Sequence, residues 1–271
     1  MVPHIGVAGW SIRKEHGHLF DADGTHLQRY ASRFDAVEIN SSFYQSHQRA
    51  TYERWARSVA PQFRFSVKMP KWLTHENGLE DTGEALTSFL HEIAGLGAKL
   101  GCLLVQLPPG LAYDPRTVET FFTALRARYR GPAVCEPRHV TWFTGAADAR
   151  LEAHRVGRVA ADPPCAPDGG EPAGSTRVVY YRLHGSPVMY HSSYDEAYLN
   201  RLAARIRRHA PAPVWCIFDN TARGAAVDNA LQLQRDLEHV NPPGARADIQ
   251  RRYPCRNSGL SNAVKPPTSR W

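Results

Sequence analysis

Long apolar runs are missing from this sequence. Nowhere do the roughly 18 consecutive apolar residues of a membrane-spanning helix occur. The opening residues, Met1-Val2-Pro3-His4-Ile5-Gly6, lack the basic start and long apolar stretch of a secretory signal, so a cytoplasmic location is expected. Cysteine is sparse and unpaired in pattern. The five are Cys102, Cys135, Cys165, Cys216 and Cys255, an odd number with no CxxC. That pattern fits thiols in a reducing cytoplasm. Cys102, Cys135 and Cys216 lie in apolar, strand-like runs and are expected to be buried thiols.

Two further absences bound the chemistry. No HExxH or comparable compact metal spacing is present. The glycine-rich stretch Gly95–Gly101 follows a helical pattern and precedes a strand, the reverse of a dinucleotide fingerprint, so no nucleotide cofactor is expected. A strong charge on the body of the chain is also lacking. The formal charge is +7, but residues 241–271 hold six basic side chains and one acid, which leaves +2 for residues 1–240. Nucleic acid is therefore a less favoured partner than a small molecule. The Pro-, Ser- and Arg-rich segment 241–271 is expected to be a disordered basic tail.

What is present is an alternation. The 271 residues, 42% hydrophobic and 22% charged, suffice for one large core. Eight short apolar runs read as strands: His4–Ala8, Ala36–Ile39, Phe63–Val67, Cys102–Val105, Ala133–Cys135, Val156–Ala161, Val178–Leu183 and Val214–Phe218. Helical patterns fall between them at Leu27–Arg33, Ala50–Val59, Gly83–Leu96, Pro115–Tyr129, Ala146–His154, Tyr194–His209 and Ala225–Leu237. Arg205–Arg208 and His209 are expected on a solvated helix face. Pro163–Ser175 replaces most of a helix after the sixth strand. The expected fold is a single-domain (β/α)8 TIM barrel over residues 1–240 with a degenerate sixth unit; an open doubly wound sheet is the alternative.

Each apolar run stops at a polar or special residue. The strand ends and following loops supply Trp10, Glu38 and Asn40, Tyr44, Lys68 and His75, Gln106, Glu136 with Arg138, His139 and Trp142, Asp162, His184 with Tyr190, and Asp219 with Asn220. In a barrel these ends converge on one face, where this architecture carries its chemistry. Glu38, Glu136 and His184 are candidates for acid–base work, and Lys68 for holding an anion, acting as a base or forming an imine. Glu38 could equally serve only to pair with Lys68, and Glu136 to bridge to Arg138. Trp10, Asn40, Tyr44, His75, Gln106, Arg138, His139, Trp142, Tyr190, Asp219 and Asn220 are candidates for substrate contact. Trp142 is equally a packing residue. The carboxylates and histidines could also hold a divalent metal, which Lys68 and Arg138 would oppose.

An ordered series of these segments resembles a known family. It comprises Gly6-Val7-Ala8-Gly9-Trp10-Ser11, Val37-Glu38-Ile39-Asn40-Ser41-Ser42-Phe43-Tyr44, Phe63–Lys68 with Thr74-His75, and Gln106-Leu107-Pro108-Pro109. Glu136-Pro137-Arg138-His139 with Trp142, Leu183-His184-Gly185 with Tyr190, and Phe218-Asp219-Asn220-Thr221 complete it. Together they resemble the YecE-like family, domain of unknown function seventy-two, over about Gly6–Leu237. The resemblance implies a TIM-barrel fold and no established activity. The rim segment Arg13–His18 departs from the family's usual first loop. Three functions remain open: a metal-independent enzyme acting on a small polar, anionic or sugar-like substrate; a metal-dependent phosphodiester-cleaving or nucleic-acid-binding barrel; and a ligand-binding protein without turnover.

Overall fold

In the computed structural model, residues 2–238 are described, and the expected tail at 241–271 lies outside them. The strands are β1 (His4–Val7), β2 (Ala36–Ile39), β3 (Arg64–Lys68), β4 (Leu100–Gln106), β5 (Ala133–Glu136), β6 (Val156–Arg158), β7 (Ala160–Asp162), β8 (Ala173–Gly174), β9 (Val179–Leu183) and β10 (Val214–Phe218). The helices are α1 (His26–Ala31), α2 (Arg49–Arg57), α3 (Gly83–Ile93), α4 (Pro115–Arg128), α5 (Gly145–Ala153), α6 (Glu196–Arg207) and α7 (Ala225–Glu238). One compact unit ends at Asp236. The helix starts follow local chemistry. Thr25 and Gln28 form a capping box on α1, and Asp114 caps α4, which has proline in its first turn.

The strands form two hydrogen-bonded sheets, β1-β10-β9-β7 and β2-β3-β4-β5-β6-β8. All pairings are parallel except β6 with the two-residue β8. The sheets meet at two seams. At one, the run 156–162 serves both: β6 pairs with β5 and β7 with β9, while the Val159 amide donates to the Cys135 carbonyl at 2.8 Å. At the other, β1 and β2 share a single bridge, Ala8 to Glu38, where the Gly9 amide donates to the Glu38 carbonyl at 2.8 Å. Below that bridge the Tyr30 hydroxyl stands between the strands. It accepts from the Val7 amide at 3.0 Å and donates to the Ala36 carbonyl at 2.9 Å, so a side chain satisfies both backbone groups in the gap.

Both seams need glycine. A Cβ on Gly6 would lie 2.2 Å from the Ala36 oxygen, and one on Gly157 would lie 2.8 Å from the Val178 oxygen. Side chains from both sheets share one core cluster, including Ala36, Cys102, Leu104, Val134, Tyr180 and Ile217. Successive strand residues face opposite ways, so the positions two residues further along each strand (Glu38, Gln106, Glu136, Arg182 and Asp219) face the same side as that cluster.

The Pro/Gly-rich segment after the sixth run holds no α-helix. A 3-10 turn at Pro167–Gly170 and the short β8 stand between β7 and β9. The solvated-face expectation holds for exposed Arg208 and is corrected for Arg205 and His209. Arg205 reaches the Gly170 carbonyl and the Glu171 carboxylate, and His209 Nε2 lies 2.7 Å from the Tyr181 hydroxyl. The insertion thus ties down Arg205, and β9 ties down His209. The three strand cysteines are buried as expected. Among the described residues, no helix is long and apolar enough to cross a membrane.

Candidate functional site

The strand ends place a charged network directly above the apolar cluster, centred on Arg182. This residue is fully buried. Its guanidinium donates to Glu38 through NH2 (2.8 Å to Oε1) and Nε (3.1 Å to Oε2). It also reaches Glu136 Oε2 at 3.3 Å and Asp219 Oδ2 at 3.0 Å. The planar five-donor fork suits such multiple pairing, which lysine could not match. Tyr180, two residues earlier on the same face, donates to Glu38 Oε2 at 2.9 Å.

His184 lies between two carboxylates. Its Nε2 is 2.8 Å from Glu136 Oε1 and its Nδ1 is 3.1 Å from Asp219 Oδ2. Only the doubly protonated ring can donate at both nitrogens. Burial works against that charge, but Glu136 and Asp219 prevail and raise the histidine's pKa above 6.5. Glu136 also accepts from Arg138 NH1 at 3.0 Å and Gln106 Nε2 at 3.1 Å. Burial would raise its pKa, yet His184, Arg182 and Arg138 hold it well below the ordinary carboxylate value. Asp219 is lowered in the same way, against burial, by Arg182 and His184.

Three carboxylates therefore face Arg182, Arg138 and protonated His184, and the charges balance. Lys68 is the positive charge left over. It is buried, and among the described residues it makes no ion pair; Nζ instead sits 3.8 Å from the centroid of the Phe43 ring. Desolvation, then Arg182, lower its pKa from 10.5 to about 8 despite the nearby carboxylates. Of the two roles open to Glu38, the pairing is found with Arg182 in place of Lys68. His75 meets the same Phe43 ring edge-on, with centroids 4.9 Å apart, and its Nδ1 lies 2.8 Å from the Thr74 hydroxyl. Its pKa is lowered by burial and by Lys68.

The remaining candidates divide. Gln106, Arg138 and Asp219 belong to the network. Tyr190 is half exposed and sets its ring edge-on to His184, with centroids 5.8 Å apart. Asn40, just after β2, has a buried Oδ1 with no hydrogen-bond partner. Trp10 packs edge-on against Trp55, and Tyr44 is 68% exposed. Three further candidates have structural partners. Trp142 is buried, with its indole N–H donating to the Leu111 carbonyl at 2.9 Å, so it packs the wall. His139 accepts from the Thr141 amide and caps a 3-10 turn. Asn220 is buried and ties the Ser192 carbonyl to Asn229, holding a loop. Glu38 and Glu136 are buried and have their oxygens occupied by Arg182, Tyr180, Gln106, His184 and Arg138, which makes them the frame of the site rather than free bases.

Arg182 is the residue the sequence analysis missed. Its signal was the period-two series Tyr180-Arg182-His184, interleaved with Val179-Tyr181-Leu183, inside a run read as continuously apolar. Its guanidinium also takes the carboxylate oxygens that a cation would need. Among the described residues, no group of three or more His, Cys, Asp or Glu side chains is arranged to hold a metal.

These features define a parallel α/β protein with a buried ionic network at its strand ends. The sequence matches the protein family of unknown function DUF72 over residues 4–251, and the chain belongs to that family. The match extends past Leu237, where the motif series stops. It is 30% identical over 113 residues to UPF0759 protein YecE of Escherichia coli K12, covering 42% of this chain and 39% of that protein. The aligned part thus spans about two fifths of that relative's length. Two crystal structures share the fold. A DUF72 family protein of Enterococcus faecalis V583 aligns with TM-score 0.74 at 22% identity, over 88% of this chain and 96% of its own. A DUF72 family protein of Thermotoga maritima MSB8 aligns with TM-score 0.73 at 24% identity, over 88% and 100%.

Proposed function

We propose that the two sheets form the wall of one (β/α)8 barrel and that its strand-end face is an enzyme site for a small, polar, anionic substrate. Support for closure comes from the shared run 156–162, the Ala8–Glu38 bridge, the Tyr30 hydroxyl in the second seam and the core cluster drawn from both sheets. The site then lies where barrels of this architecture carry out chemistry, an argument by analogy.

One observation carries the substrate class: Lys68 is a desolvated positive charge beyond a network that is already balanced. A buried unpaired charge is costly, and an incoming carboxylate or phosphate would supply its partner. Arg138, half-buried at the rim, would add a second donor, and the free Asn40 Oδ1 would accept from a substrate hydroxyl. Glu38, Glu136, Asp219, Arg182 and His184 preorganise the floor, while Lys68 and His75 are the groups placed to move protons.

The test is thermal denaturation against a panel of small carboxylates, phosphates and sugar acids. At least one should raise the midpoint of the wild type by mass action and leave Lys68→Met unchanged. Equal shifts in both proteins, or none in either, would remove the anion reading.

A further inference from the structure

The leftover charge on Lys68 can be relieved in a second way, by loss of a proton. We propose that Lys68 is a nucleophile that forms an imine with a small aldehyde or ketone, with His75 exchanging the proton. This rests on the reading of the strand-end face as a substrate site and narrows the substrate to a carbonyl compound.

Geometry carries the argument. Lys68 ends β3, on the same face as Ser66, and both this amine and the His75 ring pack on the Phe43 ring. Its own carbonyl accepts from the Ser42 hydroxyl at 2.7 Å, which fixes the backbone from which the side chain projects. The groups around it are settled: Glu38 and Asp219 are engaged by Arg182, and Glu136 by His184 and Arg138. Among the described residues no carboxylate forms an ion pair with the amine, although Glu38, Asp219 and Glu136 act on it at longer range. Burial and the Arg182 charge favour the free base. His75 uses Nδ1 on Thr74, which leaves Nε2 for proton exchange.

The step balances without a co-reactant. Lys68 gives up one proton to His75, and the nitrogen lone pair attacks the carbonyl carbon to give a carbinolamine. His75 then protonates the hydroxyl. In the carbinolamine one amine hydrogen has passed to the former carbonyl oxygen; with the proton returned by His75 that oxygen leaves as water, the nitrogen lone pair forms the C=N bond, and the protonated imine keeps the last N–H. The electron-withdrawing imine acidifies the neighbouring carbon, so the reaction classes that follow are carbon–carbon cleavage, dehydration or isomerisation next to the carbonyl.

Reductive trapping tests this directly, because the chain has five lysines: Lys14, Lys68, Lys71, Lys99 and Lys265. The full-length protein is treated with limiting glyoxylate and cyanoborohydride at neutral pH, and each lysine is followed by peptide mass spectrometry. Lys68 should be alkylated at least tenfold faster than exposed Lys14, and His75→Ala should slow it several-fold. Labelling of Lys68 no faster than Lys14 overturns the proposal, and an unchanged rate in His75→Ala removes His75 from the step. Lys68→Arg separates this from the anion reading. It keeps the charge and should retain the thermal response to anions while losing the adduct. A retained response in a wild-type protein whose Lys68 resists labelling would leave the site standing and end the imine. Rapid labelling with no anion response would do the opposite.

Discussion

Arg182 is enclosed by Glu38, Glu136 and Asp219 and has no exposed surface. Removing one partner of such a cluster leaves uncompensated buried charge, so Arg182→Met should cost about 3–5 kcal/mol of stability in urea denaturation. A loss under about 1 kcal/mol would show that water reaches the carboxylates. His184 makes a signed prediction. Its pKa is raised on folding, so its contribution is complete below the unfolded value near 6.5 and is lost as pH climbs through the higher folded value. The stability advantage of the wild type over His184→Gln should therefore shrink as urea midpoints are taken from pH 6 towards pH 9. Glu136 and Asp219, whose pKa values are depressed, act at the other end. Their contribution is present above about pH 4 and fades as acid carries the protein down through the lowered values. An advantage that grows with alkalinity would contradict the imidazolium assignment.

At the scale of elements, the chain announces its strands and helices through apolar runs and caps, and the observed boundaries fall within one or two residues of most expectations. The sixth run, read as one strand, divides into β6 and β7, because its two halves pair with different neighbours and no local signal marks that division. The ends of the strands were legible because charge interrupts apolarity there. Arg182 was not, since a buried guanidinium inside a strand is tolerated only by partners that arrive from β2, β5 and the end of β10. The structural partners of His139 and Asn220 were illegible for a similar reason: capping a turn and tying a loop use the same polar side chains as binding does. The seams are where element-scale tests belong. Gly6→Ala must push against the Ala36 carbonyl, and the strain should exceed about 2 kcal/mol in urea denaturation. Gly83→Ala, at a position where a Cβ meets nothing, should be neutral or slightly stabilising as the control. Equal effects would mean that β1 and β2 are not held as close as described.

For the whole molecule, the division of labour is between a balanced ionic frame and one unbalanced amine. Functional groups of this kind are held at a cost to stability. Lys68→Met should leave the fold intact and be neutral or stabilising by up to about 2 kcal/mol, in contrast to Arg182→Met. A destabilisation comparable to that of Arg182→Met would make Lys68 part of the frame. The two substitutions together distinguish a site built for a ligand from a self-contained ionic plug.

The central claim is that Lys68 is a desolvated amine without a counter-ion, set among residues that converge from separate strands. Titration of protein labelled at the lysine ε-carbons, read by NMR and assigned with Lys68→Arg, measures this most directly. The account predicts one resonance titrating near 8. A Lys68 value at or above the ordinary 10.5 would mean that a carboxylate or water shares its surroundings, and the account would fail.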